Sequence, residues 1–218
     1  MNRILSFLIL FIAIYSNGAL ASTANQTNTI LIMGDSLSAG YGIQTQQSWP
    51  VLLQTKLNAE NLGYKVHNAS ISGQTSSEGV RQIDQLLSLT KPDLVVLELG
   101  ANDGLRGLSI AEMSNNLQTI ISKSLLANSQ VLLVGIRVPA NYGRRYSAMF
   151  EASFQSLANN NNIPLLPFLL EPLLQLVTPD NKADYIQSDG LHPTEKSQPI
   201  ILEHIYPHIL SALSLPKQ

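Results

Sequence analysis

Four short segments of the sequence carry the residue types that acyl transfer requires. Gly34–Ser38 contains serines, Asn68–Thr75 and Gly100–Leu105 contain glycines and an asparagine, and Asp189–Pro193 places a histidine three residues after an aspartate. A serine nucleophile needs a base to take its hydroxyl proton, an acid to orient that base, and donors for the developing oxyanion. The four segments together supply a candidate for each role.

The candidates can be assigned from their chemistry. Ser36 follows an apolar run, where a tight turn exposes its Oγ atom, and we take it as the nucleophile. His192 is the candidate base, and Asp189 is near enough in sequence to reach its second ring nitrogen. The backbone N–H groups of Ser36 and Gly73 and the side-chain amide of Asn102 are the candidate oxyanion donors.

Each of these residues also has an ordinary structural explanation. A serine after a strand is often a helix N-cap, as Ser36 would then be. A glycine such as Gly73 often serves a turn with positive φ. Asn102 suits a loop cap, and His192 beside Pro193 suits a plain loop. Catalysis is favoured only if the fold brings all of them to one place.

The elements that would position them follow from the pattern of apolar residues. Short, nearly continuous apolar runs alternate with longer amphipathic stretches, which indicates buried parallel strands joined by helices. We predict one α/β domain in which ligands bind beyond the carboxyl ends of the strands, where the candidates lie. The predicted strands are 29–33, 64–68, 93–99, 130–138 and 163–166, and the predicted helices are 47–60, 77–90, 109–127, 143–160 and 194–213.

The motifs resemble the sequence blocks of the GDSL, or SGNH, hydrolases, in matching order over about residues 29–210. The resemblance implies a single three-layer α/β/α domain with a flavodoxin-like five-stranded parallel sheet of order 2-1-3-4-5. It also implies the roles given above for Ser36, Gly73, Asn102, Asp189 and His192, in an enzyme that needs no cofactor.

A closer resemblance, to the periplasmic thioesterase and lysophospholipase branch of this family, lies in the segments Ala39–Tyr41, Asn102–Gly107 and Arg137–Tyr146. It implies a serine hydrolase of fatty acyl esters and thioesters that works through an acyl-enzyme. Its partners would be small acyl esters, thioesters or lysophospholipids. A groove for the acyl chain would then be expected beside the serine, with wall residues Leu105, Leu108, Val138, Pro139 and Tyr142. The apolar stretch 168–177 is a further candidate for this wall, with packing in the core as the alternative.

Two alternatives remain open from the sequence. One is an exported esterase that removes acetyl groups from carbohydrate or cell wall, although an acetyl group needs no apolar groove. The other is a lipid-binding module that kept the scaffold without the chemistry. A missing site residue would favour the second, and none of the five is missing.

Composition narrows the classes of chemistry. The chain has no cysteine, so disulfides, cysteine-bound metals and thiol nucleophiles are excluded. Its formal net charge of -2 is the wrong sign for a protein that neutralises nucleic-acid phosphates. His204 and His208 are four residues apart, but Pro207 intervenes and no third ligand is evident, so we expect no metal site.

The first residues are typical of an export signal. Arg3 precedes an apolar run of about a dozen residues, shorter than the roughly 20 that span a bilayer, and small residues follow at Ala19 and Ala21. We therefore predict a signal peptide over 1–21, a mobile lead-in over 22–28 and the hydrolase domain over 29–214. An uncleaved anchor is the alternative. The mature protein is expected to be a monomer without a stable membrane anchor, in the periplasm of a Gram-negative bacterium or secreted.

Overall fold

A computed structural model describes residues 28–216 of the chain. The predicted signal peptide, 1–21, therefore lies outside the described residues, as does the predicted lead-in, 22–28, except for Asn28. The described part contains a five-stranded parallel sheet of order β2-β1-β3-β4-β5, the order that the family resemblance implied. Its strands are β1 Asn28–Gly34, β2 Tyr64–Asn68, β3 Leu94–Glu98, β4 Gln130–Val134 and β5 Leu165–Leu166.

Helices cover both faces of the sheet, which confirms the predicted three-layer α/β/α class. Within residues 28–216, no helix is both long enough and apolar enough to cross a membrane. The α-helices are α1 Ser36–Ala39, α2 Trp49–Ala59, α3 Ser76–Thr90, α4 Ala101–Leu105, α5 Ile110–Leu126, α6 Arg144–Asn161, α7 Glu171–Leu176, α8 Lys182–Tyr185 and α9 Gln198–Leu213.

The central strands divide their side chains between two cores. Every residue of β3 and β4 is buried, as the continuous apolar runs predicted, because helices lie above and below. Alternate residues point to opposite faces. On one face Leu31, Val95 and Val131 pack with α3, α5 and α6, and on the other Ile30, Leu94 and Leu132 pack with α2 and α9.

The differences from the predicted elements are local. β1 begins at Asn28, and β4 ends at Val134, four residues before the predicted end. At the next position, Gly135, a Cβ atom would lie 2.3 Å from the carbonyl oxygen of Pro167, so the chain passes very close to the segment after β5. The short helices α1, α4, α7 and α8 were not predicted, because six residues or fewer show no clear helical period.

Candidate active site

The turn after β1 holds the candidate nucleophile in a fixed position. Ser36 is the first residue of α1, and Asp35 caps this helix by accepting a hydrogen bond from the Leu37 N–H at 3.1 Å. Gly34 has no room for a side chain, since a Cβ atom there would lie 2.6 Å from Oε2 of Glu98. The Gly-Asp-Ser sequence therefore fits a turn in which the glycine lies against the side chain of Glu98, its neighbour at the end of β3.

A loop near the C-terminus brings the candidate base to this serine. The Nε2 atom of His192 lies 2.8 Å from Oγ of Ser36, and its Nδ1 atom lies 2.6 Å from Oδ2 of Asp189. An ionised carboxylate can only accept, so Nδ1 carries the proton and Nε2 is free to accept the serine hydroxyl. The three side chains form a continuous hydrogen-bonded chain in the order that general-base activation of a serine requires.

The same loop keeps Asp189 ionised. Its Oδ1 atom accepts the backbone N–H groups of His192 at 3.0 Å and Leu191 at 2.9 Å. The backbone hydrogen bond from His192, helped by the one from Leu191 and by the imidazole, lowers the pKa of Asp189 to about 2. The carboxylate is therefore charged at any pH where a neutral imidazole is available.

The candidate oxyanion donors line the cavity beside the serine. Among the described residues, the N–H groups of Ser36 and Gly73 have no hydrogen-bond acceptor, so both are available to a ligand oxygen. Gly73 has a φ of 81°, a conformation that side-chain-bearing residues rarely adopt. Its carbonyl oxygen accepts a hydrogen bond from Nη2 of Arg106 at 2.7 Å, which helps to fix the peptide.

Asn102 is also at the cavity, but its amide group already has acceptors. Nδ2 of Asn102 donates to Oδ2 of Asp35 at 3.2 Å and to the carbonyl oxygen of Gln74 at 3.1 Å. Its orientation is therefore set by two fixed groups. To bind an oxyanion as well, the amide would share one of its two hydrogens between Asp35 and the substrate oxygen.

Two carboxyl groups lie buried behind the nucleophile. Asp35 and Glu98 are both 0% exposed. Burial, partly offset by hydrogen bonds and by His192, raises the pKa of Asp35 to about 6. Burial and the nearby Asp35 raise the pKa of Glu98 well above its usual range. Two adjacent buried carboxyls cannot both ionise cheaply, so Glu98 is the one that keeps its proton near neutral pH.

Glu98 contacts the turn from below. Its Oε2 atom accepts the Ser38 hydroxyl at 2.8 Å and the Asp35 N–H at 3.3 Å, while Oε1 has no partner within the described part of the chain. Sequence reasoning did not single out Asp35 or Glu98. The available signal for Glu98 was an acidic residue closing an otherwise apolar strand, Leu94–Glu98.

An apolar cavity of about 840 Å³ opens beside the serine. Leu105, Val138 and Pro139, three of the predicted wall residues, lie on its surface. Leu108 and Tyr142 do not line it, and Tyr142 instead donates from its hydroxyl to the carbonyl oxygen of Leu105 at 2.8 Å. Much of the remaining apolar wall comes from the region of α7, namely Phe168, Leu170, Leu173, Leu174 and Val177.

The other candidate groups singled out by residue type are two histidines of α9 and an arginine of the cavity wall. In residues 28–216, no cluster of three or more potential metal-ligating side chains is present. The ring centroids of His204 and His208 are 6.1 Å apart, and Nε2 of His204 lies 3.1 Å from the carbonyl oxygen of Phe168. Arg137 lines the cavity and forms ion pairs with Glu151 and Glu171.

Comparison with known proteins shows which family the chain resembles in sequence. The model of the GDSL-like lipase/acylhydrolase family matches residues 32–198. An arylesterase of Vibrio mimicus is 38% identical over 98% of this chain and 100% of its own length. The thioesterase 1/protease 1/lysophospholipase L1 of Escherichia coli is 42% identical over 83% of this chain and 82% of its own.

A solved structure extends the comparison to three dimensions. The psychrotrophic esterase EstA from a Pseudoalteromonas species, inhibited by monoethylphosphonate, is 43% identical with a TM-score of 0.80. It covers 86% of this chain and 100% of its own. The fold and the serine–histidine–aspartate geometry are those of a serine-type carboxylic ester hydrolase. The chain belongs to the GDSL-like lipase/acylhydrolase family.

Proposed function

We propose that the protein hydrolyses fatty acyl esters and thioesters, lysophospholipids included, through an acyl-enzyme on Ser36. The observation that carries the proposal is the 2.8 Å contact between Oγ of Ser36 and Nε2 of His192 at the wall of a large apolar cavity. The names of the relatives, arylesterase and thioesterase 1/protease 1/lysophospholipase L1, support the same substrate class.

Acylation begins when Oγ of Ser36 attacks the acyl carbonyl carbon and its proton moves to Nε2 of His192. The carbonyl electron pair moves to oxygen, which accepts hydrogen bonds from the N–H groups of Ser36 and Gly73 and from the Asn102 amide. When the pair returns, the bond to the alcohol oxygen or thiol sulfur breaks. The imidazolium gives its proton to that leaving atom.

Deacylation repeats these steps with water as the nucleophile. His192 takes a proton from water, the hydroxide attacks the acyl carbon, and Oγ of Ser36 leaves with the proton from the imidazolium. Asp189 stays ionised throughout and stabilises the positive charge on His192. The reaction balances with water as its only co-substrate and releases a carboxylic acid.

The cavity supports a fatty acyl substrate over an acetyl group. Each methylene of an acyl chain that is buried in an apolar cavity contributes about 0.8 kcal/mol of favourable binding free energy. A volume of about 840 Å³ with aliphatic walls provides that environment. An acetyl group would fill only a small part of this cavity. The cavity therefore favours fatty acyl hydrolysis over acetyl esterase activity.

A hydrolysis panel tests the proposal. Purified protein is assayed against an acyl-CoA, a lysophospholipid, and aryl esters from acetyl to palmitoyl, with Ser36→Ala as the blank. We expect hydrolysis with a preference for medium or long chains and its loss in Ser36→Ala. His192→Ala should lower kcat by orders of magnitude and Asp189→Ala by less. Best activity on acetyl would favour the acetyl esterase, and binding without turnover would favour the lipid-binding module.

We further propose that residues 1–21 are removed on export and that the mature enzyme acts outside the cytoplasm as a monomer. The charge and hydropathy pattern of that segment supports this, and the absence of cysteine means that folding there needs no disulfide formation. N-terminal sequencing of the protein from fractionated cells is expected to begin at Ser22. Light scattering should give the mass of one chain.

A further inference from the structure

Tyr41 lies directly against the imidazole of His192. The two ring centroids are 4.5 Å apart, with an angle of 42° between the ring planes. Tyr41 also lines the cavity next to Ser36, yet 51% of the residue is exposed. A half-exposed tyrosine adds little to the core, so its position calls for another explanation.

The backbone around Tyr41 is fixed to both halves of the site. The Tyr41 N–H donates to the carbonyl oxygen of Ser36 at 3.2 Å. Nε2 of Gln187 donates to the carbonyl oxygen of Tyr41 at 2.8 Å and to that of Pro193 at 3.0 Å. The Gln187 N–H donates to the carbonyl oxygen of His192 at 2.8 Å. One glutamine thus connects the serine turn to the histidine loop.

The neighbouring glycine is part of the same arrangement. Gly42 has a φ of 74°, and a Cβ atom there would lie 2.1 Å from Oε1 of Gln187. Any larger residue at position 42 would push the Gln187 side chain away from the carbonyl of Tyr41. The local sequence Tyr41-Gly42 is therefore matched to a residue 146 positions away from Tyr41.

We propose that Tyr41 is a positioning residue for His192, covering the imidazole and stabilising its protonated form, and that Gln187 holds Tyr41 in place. The inference rests on the proposed function, because it concerns the base of that reaction. An aromatic ring attracts a cation within about 6 Å of its centroid. His192 is cationic only after it takes the serine proton, so the attraction favours the transition state over the resting enzyme.

Two carboxyl groups near His192 also affect the proton affinity of its imidazole. Asp189 contacts Nδ1 from the same loop, and the carboxyl of Asp35 interacts with the imidazole from behind α1. Both are unchanged by a substitution at Tyr41. Removing the Tyr41 ring should therefore reduce the proton affinity of the imidazole only by the contribution of that ring, about two- to fivefold.

The test compares Tyr41→Phe, which keeps the ring, with Tyr41→Leu, which keeps only bulk. kcat and KM are measured for acetyl and octanoyl aryl esters, and kcat/KM is followed with pH. For Tyr41→Leu we expect kcat to fall about two- to fivefold on both esters. We also expect the acid limb of the pH profile to move about 0.3–0.7 pH units lower, because a weaker base stays neutral in more acid. Tyr41→Phe should match the wild type in both respects.

Other outcomes would overturn the inference. An unchanged kcat and acid limb in Tyr41→Leu, with KM raised only for octanoyl, would make Tyr41 part of the groove wall. A Tyr41→Phe variant as impaired as Tyr41→Leu would assign the effect to the hydroxyl. Full activity of Ser36→Ala in the same assay would instead contradict the proposed function, so the two failures are distinguishable.

Discussion

The Oδ2 atom of Asp35 accepts a hydrogen bond from Nδ2 of Asn102 at 3.2 Å, while Oδ1 of the same carboxyl caps α1 through the Leu37 N–H. One buried side chain therefore links the turn of the nucleophile to an amide on the opposite side of the site. The two contacts use different oxygens, so substitution can separate them.

Asp35→Ser is expected to keep the cap and lose the link, because a serine hydroxyl can accept from the Leu37 N–H but is too short to reach Asn102. The amide of Asn102 would then be less well oriented toward the oxyanion. We expect kcat on an aryl ester to fall about tenfold to a hundredfold, less than the loss of a whole oxyanion donor, with KM little changed. Steady-state kinetics measures this, and a wild-type kcat would show that Asp35 does not orient Asn102.

The raised pKa of Asp35 makes stability depend on pH. In the folded protein its pKa is about 6, against 3.8 for an unperturbed aspartate side chain. The folded state therefore binds this proton more tightly, and the stability it provides is full below about pH 4 and lost as pH rises through about 6. The loss is about 3 kcal/mol in the free energy of unfolding at neutral pH.

The side chain of Asp35→Asn is neutral at every pH, so this variant does not lose free energy of unfolding through ionisation at position 35. The free energy of unfolding of the variant minus that of the wild type should rise by about 2 kcal/mol between pH 4 and pH 7, because a small part of the loss has already occurred at pH 4. Taking the difference between two pH values removes any constant effect of the new amide on its neighbours. Urea unfolding at both pH values measures it, and an equal difference at both would mean that the folded carboxyl titrates normally.

Glu98 is expected to act as a neutral acceptor. Glu98→Gln keeps an oxygen for the Ser38 hydroxyl and the Asp35 N–H, so kcat should stay within about twofold and stability should not fall. Glu98→Leu leaves both buried donors unpaired, at about 1–3 kcal/mol each in the free energy of unfolding. Thermal or urea unfolding compares the pair of variants. Equal destabilisation by Gln and Leu would mean that the negative charge of Glu98 is required.

Leu174 provides a test of the acyl groove that leaves the catalytic residues untouched. It lines the cavity and is 58% exposed, so a charge there should be tolerated by the fold. Leu174→Asp is expected to lower the ratio of kcat/KM for octanoyl to acetyl esters about tenfold, since a carboxylate beside the chain must lose hydration. Leu126→Asp is the matched control, because Leu126 is 85% exposed on α5 and does not line the cavity. Equal ratios in the two variants would place the acyl chain elsewhere.

The sheet could be predicted from the sequence because buried strand positions are occupied by apolar residues. Leu94–Leu97 and Val131–Val134 are continuously apolar, so both faces of each strand are apolar, and only a strand covered on both sides needs that pattern. Ser36, Gly73 and Asn102 come together because the carboxyl ends of parallel strands share one edge of the sheet. The loop between α8 and α9 brings Asp189 and His192 to the same edge. Their assignment as site residues rests on local motifs and stays a prediction.

The supporting contacts were not predictable, because they join residues far apart in the chain. Glu98 lies 60 positions from Ser38, and Gln187 lies 146 from Tyr41. No local pattern marks such pairs. The groove wall was predicted in part. The apolar stretch 168–177, a predicted candidate, contributes Leu173 and Leu174, whereas Leu108 was predicted and is not on the cavity surface.

The central claim is that Ser36, activated by His192, forms the covalent intermediate. The most direct measurement is reaction with an aryl alkylphosphonate, which a serine nucleophile attacks at phosphorus with loss of the aryl alcohol, followed by intact-mass and peptide analysis. We expect one adduct per chain, located on Ser36, with hydrolysis lost in proportion, and very slow labelling of His192→Ala. Loss of hydrolysis with the adduct on another residue, or an active and labelled Ser36→Ala, would contradict the account.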